Sequence, residues 1–278
     1  MNVSVVVIFF KSKEEDFARN INTYIHEVDH VIIWQNSLLD KRILSLIDKA
    51  QVHKIVIAGT GENVGIGRAL NESIRILRNL GATHIMTMDQ DSHFIAGHLS
   101  EYKKLIKLHS SLDIGVFGIN PNNWGRLLYP ENDIFIEVTD TITSGSIFPI
   151  HVFDEFGVFD EKLFIDAVDY EFCYRLKTRG IKTIVFPSVH LEHQVGEMYK
   201  TWLGFKTDNY SAFRTYFLVR NHITMWKLYP SIFPARYKVM LVKGHIMYRL
   251  VKIVLGEKDK LNKITSIFRG IFDGFKGA

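Results

Sequence analysis

The chain has 278 residues, 47% of them hydrophobic and 23% charged, which suits one large α/β domain or two small ones with a substantial core. Its formal charge of +4 is too weak to argue for nucleic acid as a partner, and the single cysteine, Cys173, excludes an internal disulfide framework and fits a reducing cytoplasm. No basic segment precedes an apolar core at the N-terminus, and no apolar run nears the ~20 residues that a bilayer crossing needs, so the expectation is a soluble or peripheral protein.

Val3 to Phe10 is an apolar, β-branched run and reads as a fully buried first strand. Ser12 to Tyr24 reads as a helix, with Ser12 and Glu15 at capping-box spacing. Residues 31–34 make a second strand ending in Gln35-Asn36-Ser37, residues 38–50 carry helical periodicity, and Lys54 to Ala58 is a third strand. This alternation predicts a parallel sheet with helices on both faces. Gly59 to Gly67 is a glycine-rich turn into the helix Arg68 to Leu80, a place where exposed backbone N–H groups suit a phosphate or a sugar. The plainer reading is a turn whose glycines relieve backbone strain.

Residues 83–88 alternate like a buried strand and end abruptly in Asp89-Gln90-Asp91. Carboxylates at the end of a parallel strand stand where open α/β sheets bind ligands. Two hard oxygen donors at that spacing suit Mg²⁺ or Mn²⁺, and so a diphosphate; equally, Asp91 could cap a following helix. Residues 99–109 read as a helix, 114–118 as a strand, 120–130 as a loop and 134–138 as a strand with a solvated face. Thr141 to Ser146 clusters hydroxyls around Gly145, able to bond sugar hydroxyls or a phosphate.

A second acidic cluster, Asp160 to Glu171, leads into a helix from about Asp169. Asp166 or Asp169 is then either a general base aimed into a cleft or a carboxylate stabilised at a helix N-terminus. Residues 181–186 form a last strand, His190 and His193 follow, and residues 210–226 read as an amphipathic helix carrying Arg214 and Arg220. Beyond it lies a basic tail interleaved with apolar residues, suited to an anionic membrane surface or to packing on the domain.

In this order, the motifs resemble the inverting GT-A glycosyltransferases of family two, and among them the rhamnosyltransferase-like branch of bacterial surface-polysaccharide synthesis. The segments that carry the likeness are Asn63-Val64-Gly65 with Ala69 and Asn71, Met88 to Ser92, Thr143-Ser144-Gly145, Gly157 to Gly180, His193 with Gly196, and Arg214 to Asn221. Together they cover roughly residues 3–225. The resemblance implies a GT-A fold, Rossmann-like and α/β with a mostly parallel central sheet, over 1–225, followed by a basic amphipathic helical extension over 226–278.

It also implies roles. Gln35, Asn36 and Ser37 would lie by the base and ribose of a nucleotide sugar, although many relatives have an aspartate where Gln35 or Asn36 falls. Asn63 and Gly65 would line the nucleotide pocket, with Gln90 and Ser144 in the same donor-binding set. Asp91 would hold the divalent ion, Mg²⁺ or Mn²⁺, with Asp89 nearer the ribose or a metal-bound water and His193 an added ligand. Asp169 matches the catalytic base; Val168 stands where relatives often carry a glutamate, as is frequent in the rhamnosyl branch, and Asp166 is the second choice. Arg214 or Arg220 could neutralise the leaving phosphate. The implied donor is dTDP-rhamnose or a UDP-hexose, and the implied acceptor a glycan or lipid-linked glycan of O-antigen or capsule. The expected place is the bacterial cytoplasm, with the tail reaching the inner membrane face. Two other classes stay open: an NAD-type oxidoreductase or epimerase on the Gly59 to Gly67 loop, and a non-catalytic nucleotide-sugar-binding module.

Overall fold

The N-terminal apolar run forms β1 (Val3–Phe9), an inner strand of the sheet in the computed structural model, which describes residues 1–110, 113–123, 125–193, 199–201 and 204–277. Its side chains turn alternately to two separate cores, Val5 and Val7 to one and Val6 to the other. A strand buried on both faces has no wet side, which is why the run is continuously apolar. The chain continues through α1 (Glu14–Asn22), β2 (Val31–Gln35), β3 (Ile55–Ala58), α2 (Ile66–Asn79) and β4 (His84–Met88). These strands lie in the order β3-β2-β1-β4, all parallel. The connections leave β1 in opposite directions, so a crevice opens at the carboxyl ends of β1 and β4.

The second half of the sheet is mixed. It comprises β5 (Ser92–Phe94), α3 (His98–Leu108), β6 (Ile114–Asn123), β7 (Arg126–Leu127), β8 (Ile136–Val138), β9 (Ser146–Pro149), α4 (His151–Phe156), α5 (Val168–Thr178) and β10 (Lys182–His193). β9 runs antiparallel to β4 and β6 and so joins the first parallel group to the parallel pair β6–β10. Phe17 and Ile21 of α1 and Tyr102 of α3 fill one core; Leu70 and Ile74 of α2 and Phe172 of α5 fill the other. This is the expected α/β architecture. A small hairpin of β11 (Tyr199–Lys200) and β12 (Lys206–Thr207) precedes α6 (Ala212–Leu228), α7 (Ala235–Val239), a π-helical stretch over Met240–Tyr248, α8 (Arg249–Gly256) and α9 (Lys260–Lys276). Among the described residues no helix is long and apolar enough to cross a membrane.

Four local expectations change. Residues 38–50 form only a 3-10 turn over Lys41–Ser45, capped by Asp40; Leu39, Ile43 and Ile47 are buried at four-residue spacing, so the period marks anchor points rather than a helix. The capping box at Ser12 is absent: Lys13 is the N-cap of α1 and makes no side-chain cap bond. Residues 120–123 belong to β6, because the buried amide of Asn120 bonds Tyr129 and Pro187 carbonyls and the Leu128 and Tyr129 N–H groups, folding the segment back on itself. Ser146 starts β9, a strand hidden behind the hydroxyl cluster.

The helical extension is joined to the sheet domain through backbone contact. On α9, Gly270 and Gly274 face α6, and a Cβ at Gly270 would meet the Tyr216 carbonyl at 2.8 Å. At Gly274 it would meet Ile223 at 2.8 Å. Gly270→Val is therefore expected to destabilise the protein by about 1–3 kcal/mol, the usual range for overpacking. Urea unfolding should show a lower midpoint with an unchanged slope; an unchanged midpoint would mean that the two helices can separate freely.

Candidate active site

Three strand ends converge at the crevice. β1 runs into Phe10 and Lys11, β2 into Asn36, and β4 into Asp89, Gln90 and Asp91; all six line one cavity of about 930 Å³. The turns lock one another. The Gln90 amide accepts from the Phe10 N–H at 2.9 Å and donates to the Phe10 carbonyl at 3.1 Å, extending the β1–β4 pairing by a side chain. Ser144 is buried and its Oγ accepts from the Asp89 N–H at 3.1 Å. Asn36 bridges to the glycine-rich turn, accepting from the Val64 N–H at 3.3 Å and donating to the Gly65 carbonyl at 3.2 Å.

The opposite wall is the loop before α5, whose backbone is strained. Phe164 has φ 61 and ψ −61, and the Ile165 N–H bonds the Leu163 carbonyl at 2.7 Å, which makes a γ-turn of the rare positive-φ kind. Asp166 and Ala167 follow with φ 64 and 65. Asn221 of α6 holds this path, its Nδ2 lying 2.8 Å from the carbonyl oxygens of Leu163, Ile165 and Asp166. Arg214, two turns earlier on the same face of α6, donates twice to the Asp166 carboxylate at 3.0 and 3.2 Å. The result sets Asp169 in the first turn of α5, where Oδ2 accepts from the Thr143 N–H and hydroxyl and Oδ1 accepts from the Tyr170 N–H.

Charge in the cavity is unbalanced. Burial, and then the neighbouring Asp91 carboxylate, push Asp89 up to about 7, with Arg214 pulling the other way. Burial also raises Asp169, to about 6, against the hydrogen bonds from Tyr170 and Thr143. Asp89, Asp91 and His193 bring one ligand atom each to within 4.8 Å of one another. That is slightly wider than donors sharing an ion at about 2.1 Å, so a modest inward movement would complete a Mg²⁺- or Mn²⁺-type set. His193 is steered by Ser92, whose Oγ lies 2.7 Å from Nδ1.

Of the residues singled out from sequence, Asn36, Asn63, Gly65, Asp89, Gln90, Asp91, Asp166, Asp169 and His193 line this one cavity. Three do not. The Gln35 amide spans Leu39 and Gly59, pinning the loops after β2 and β3. Ser144 lies behind Asp89. Arg220 bonds the Asn221 side-chain oxygen at 2.7 and 2.9 Å and packs on the Phe217 ring, because a residue six positions beyond Arg214 falls on another side of α6. The glycine-rich turn is also less open than expected: the Ile66 N–H, first in α2, bonds the Phe164 carbonyl at 2.6 Å. Gly196 lies outside the described residues.

His222 and His245 went unnoticed in the sequence and also line the cavity. Their rings stack at 5.6 Å, and His222, 3% exposed, has no hydrogen-bond partner at Nδ1 among the described residues. Burial keeps it neutral, its pKa pushed down to about 3. The four-residue spacing of Arg214, Leu218 and His222 on one helix face was the available signal.

No family model matches the chain. Among curated proteins it is 24% identical, over 99% of its own length and 96% of the other's, to the dTDP-rhamnosyl transferase RfbF of Shigella flexneri. Among solved structures it superposes on S. aureus TarS 1-349 in complex with UDP-GlcNAc at a TM-score of 0.57, with 14% identity over 99% of this chain and 73% of that one. It superposes on GalNAc-T7 with UDP, GalNAc and Mn²⁺ at 0.61, with 12% identity over 95% of this chain. The chain spans 53% of the GalNAc-T7 structure and 44% of a longer TarS structure. The fold is therefore that of GT-A glycosyltransferases, and the full-length likeness to RfbF supports a glycosyltransferase.

The raised carboxylate gives a stability signature. A folded-state pKa lifted from 3.8 to about 7 means that the folded protein holds this proton more tightly than the unfolded chain, so stability falls as pH climbs through that interval. In chelator at pH above about 7, Asp89→Asn is expected to raise the melting temperature by about 2–5 °C. Mn²⁺ at ~100-fold its dissociation constant should stabilise the wild type by about 2.7 kcal/mol and leave Asp91→Ala unmoved. Equal metal response in both proteins would remove Asp91 from the ligand set.

Proposed function

We propose that the chain is an inverting, divalent-metal-dependent glycosyltransferase that moves a sugar from a nucleoside-diphosphate donor to a hydroxyl of a glycan or lipid-linked acceptor in surface-polysaccharide synthesis. The likeness to RfbF favours rhamnose from dTDP-rhamnose, and the nucleotides in the TarS and GalNAc-T7 structures keep UDP-sugars as the next choice. The observation that carries the reading is that Asp91 and Asp169, held by different elements, open into the same cavity.

In this reading the walls divide the work. Asn36, Asn63 and Gly65 receive the nucleoside at the ends of β2 and β3, and Lys11 and Arg214 stand where a diphosphate would lie. Asp89, Asp91 and His193 would hold the ion, which supplies positive charge to the leaving diphosphate. Asp169 takes the proton from the acceptor hydroxyl as its oxygen attacks the anomeric carbon and the bond to the diphosphate breaks. Oδ1 suits this, since it accepts a single N–H, while Oδ2 is fixed by Thr143. Asp166 is already neutralised by Arg214 and serves to position that arginine. The oxidoreductase reading lacks comparable support: the glycine-rich turn follows β3 at the edge of the sheet, and its first helical N–H is already bonded.

Asp169→Asn should lower transfer by about 10²-fold or more. Donor affinity by titration calorimetry should stay near that of the wild type. Loss of donor binding with turnover preserved would reverse the assignment, and absence of both transfer and donor hydrolysis in the wild type, with donor still bound, would favour the non-catalytic module. A base must be deprotonated to act, so the rate at saturating donor should rise with pH to a plateau, its midpoint near 6.

A further inference from the structure

The positive charge of this protein is segregated. Residues 226–278 carry eleven Lys and Arg against three Asp and Glu, whereas the remainder of the chain has more acidic than basic residues. The three acids of the extension are occupied. Glu257 is buried with Lys263 at 2.8 Å, Asp273 accepts from the Tyr216 hydroxyl at 2.8 Å, and Asp259 accepts from Asn262 at 2.6 Å. Lys243, Lys258, Lys260, Arg269 and Lys276 remain exposed.

The same helices expose apolar residues in stripes. On α9, Leu261, Phe268, Phe272 and Phe275 are 81, 60, 65 and 57% exposed. At 100° per residue they fall within an arc of about 60°, opposite the face of Ile267, Gly270 and Gly274 that packs on α6. On α8, Val251, Val254 and Leu255 are exposed, opposite the buried Arg249, Ile253 and Gly256. Ile253 and Ile267 enter one apolar cluster with Val219 and Ile223 of α6, so both stripes point away from the domain. Lys276 stands beside the stripe, its Nζ 5.9 Å from the Phe272 ring centre.

An apolar stripe bordered by cations, on a helix too short in apolar length to cross, fits one kind of surface well. We propose that the outward faces of α8 and α9 dock on an anionic lipid bilayer, with the α9 phenylalanines entering the headgroup–acyl boundary and the flanking lysines and arginines meeting lipid phosphates. Acidic protein surfaces satisfy the cations but not the phenylalanines, and a second copy of this chain would set the same cations against each other. Docking on lipid of this kind requires neither donor nor acceptor.

The full chain would be sedimented with phosphatidylcholine vesicles, with and without phosphatidylglycerol. Binding should be at least about fivefold tighter with the anionic lipid and weaken as salt is added. The triple variant F268S/F272S/F275S should bind about tenfold more weakly or worse, with an unchanged melting temperature. K260E/R269E/K276E should lose the preference for phosphatidylglycerol. Two results would overturn the proposal: wild-type protein that stays in the supernatant with both vesicles, or a dimer by light scattering that the triple phenylalanine variant dissociates.

Discussion

The amide of Asn221 shares its two protons among three backbone carbonyls of the loop before α5, and that loop has few other reasons to hold its shape. Three non-glycine residues there sit at positive φ, each at a cost of about 1–3 kcal/mol. The amide and the Arg214–Asp166 pair offset that cost, and Arg220 in turn orients the amide through its oxygen. The strained path turns the Phe164 carbonyl onto the first N–H of α2 and its ring against Gly65, where a Cβ would stand 2.8 Å from the ring. The wall that carries Gly65 and the wall that carries Asp169 are therefore one mechanical unit, referenced to a single helix.

Electrostatics completes what that geometry begins. A half-buried acidic pair at the end of β4 is an unfavourable arrangement unless positive charge offsets it. Arg214 relieves it only in part, since it is already engaged with Asp166. The cavity thus keeps an excess of negative charge that positive charge in a guest would offset. Asp169, more distant from that pair and hydrogen-bonded to neutral groups, remains able to accept a proton.

What could be read from sequence was whatever depends on local order. β1 was legible because burial on both faces writes a continuous apolar run, and Asp89 and Asp91 because they follow a strand end. The likeness of spaced motifs added Asp169 and His193, which composition would have left among many plain carboxylates and imidazoles. Whether a polar side chain faces the cavity or stands behind it was not legible. Gln35, Ser144 and Arg220 all neighbour the site in sequence, yet each spends its polar atoms on backbone or side-chain partners that only the tertiary structure supplies. His222 and His245 escaped for the converse reason, since they reach the site from helices that sequence alone assigns to scaffolding. The trio Leu39, Ile43 and Ile47 shows a further limit: helical spacing can mark three anchors of an irregular segment.

At Gly270 the backbones of α6 and α9 meet with no Cβ between them, and Val219, Ile223 and Ile267 pack around the contact. A contact this close resists sliding, since a displacement brings side chains against the facing backbone. Arg214, Leu218 and His222 stand on the face of α6 turned away from α9 and line the cavity, so one helix carries both contacts. In this molecule the outermost helix and the cavity share a single support.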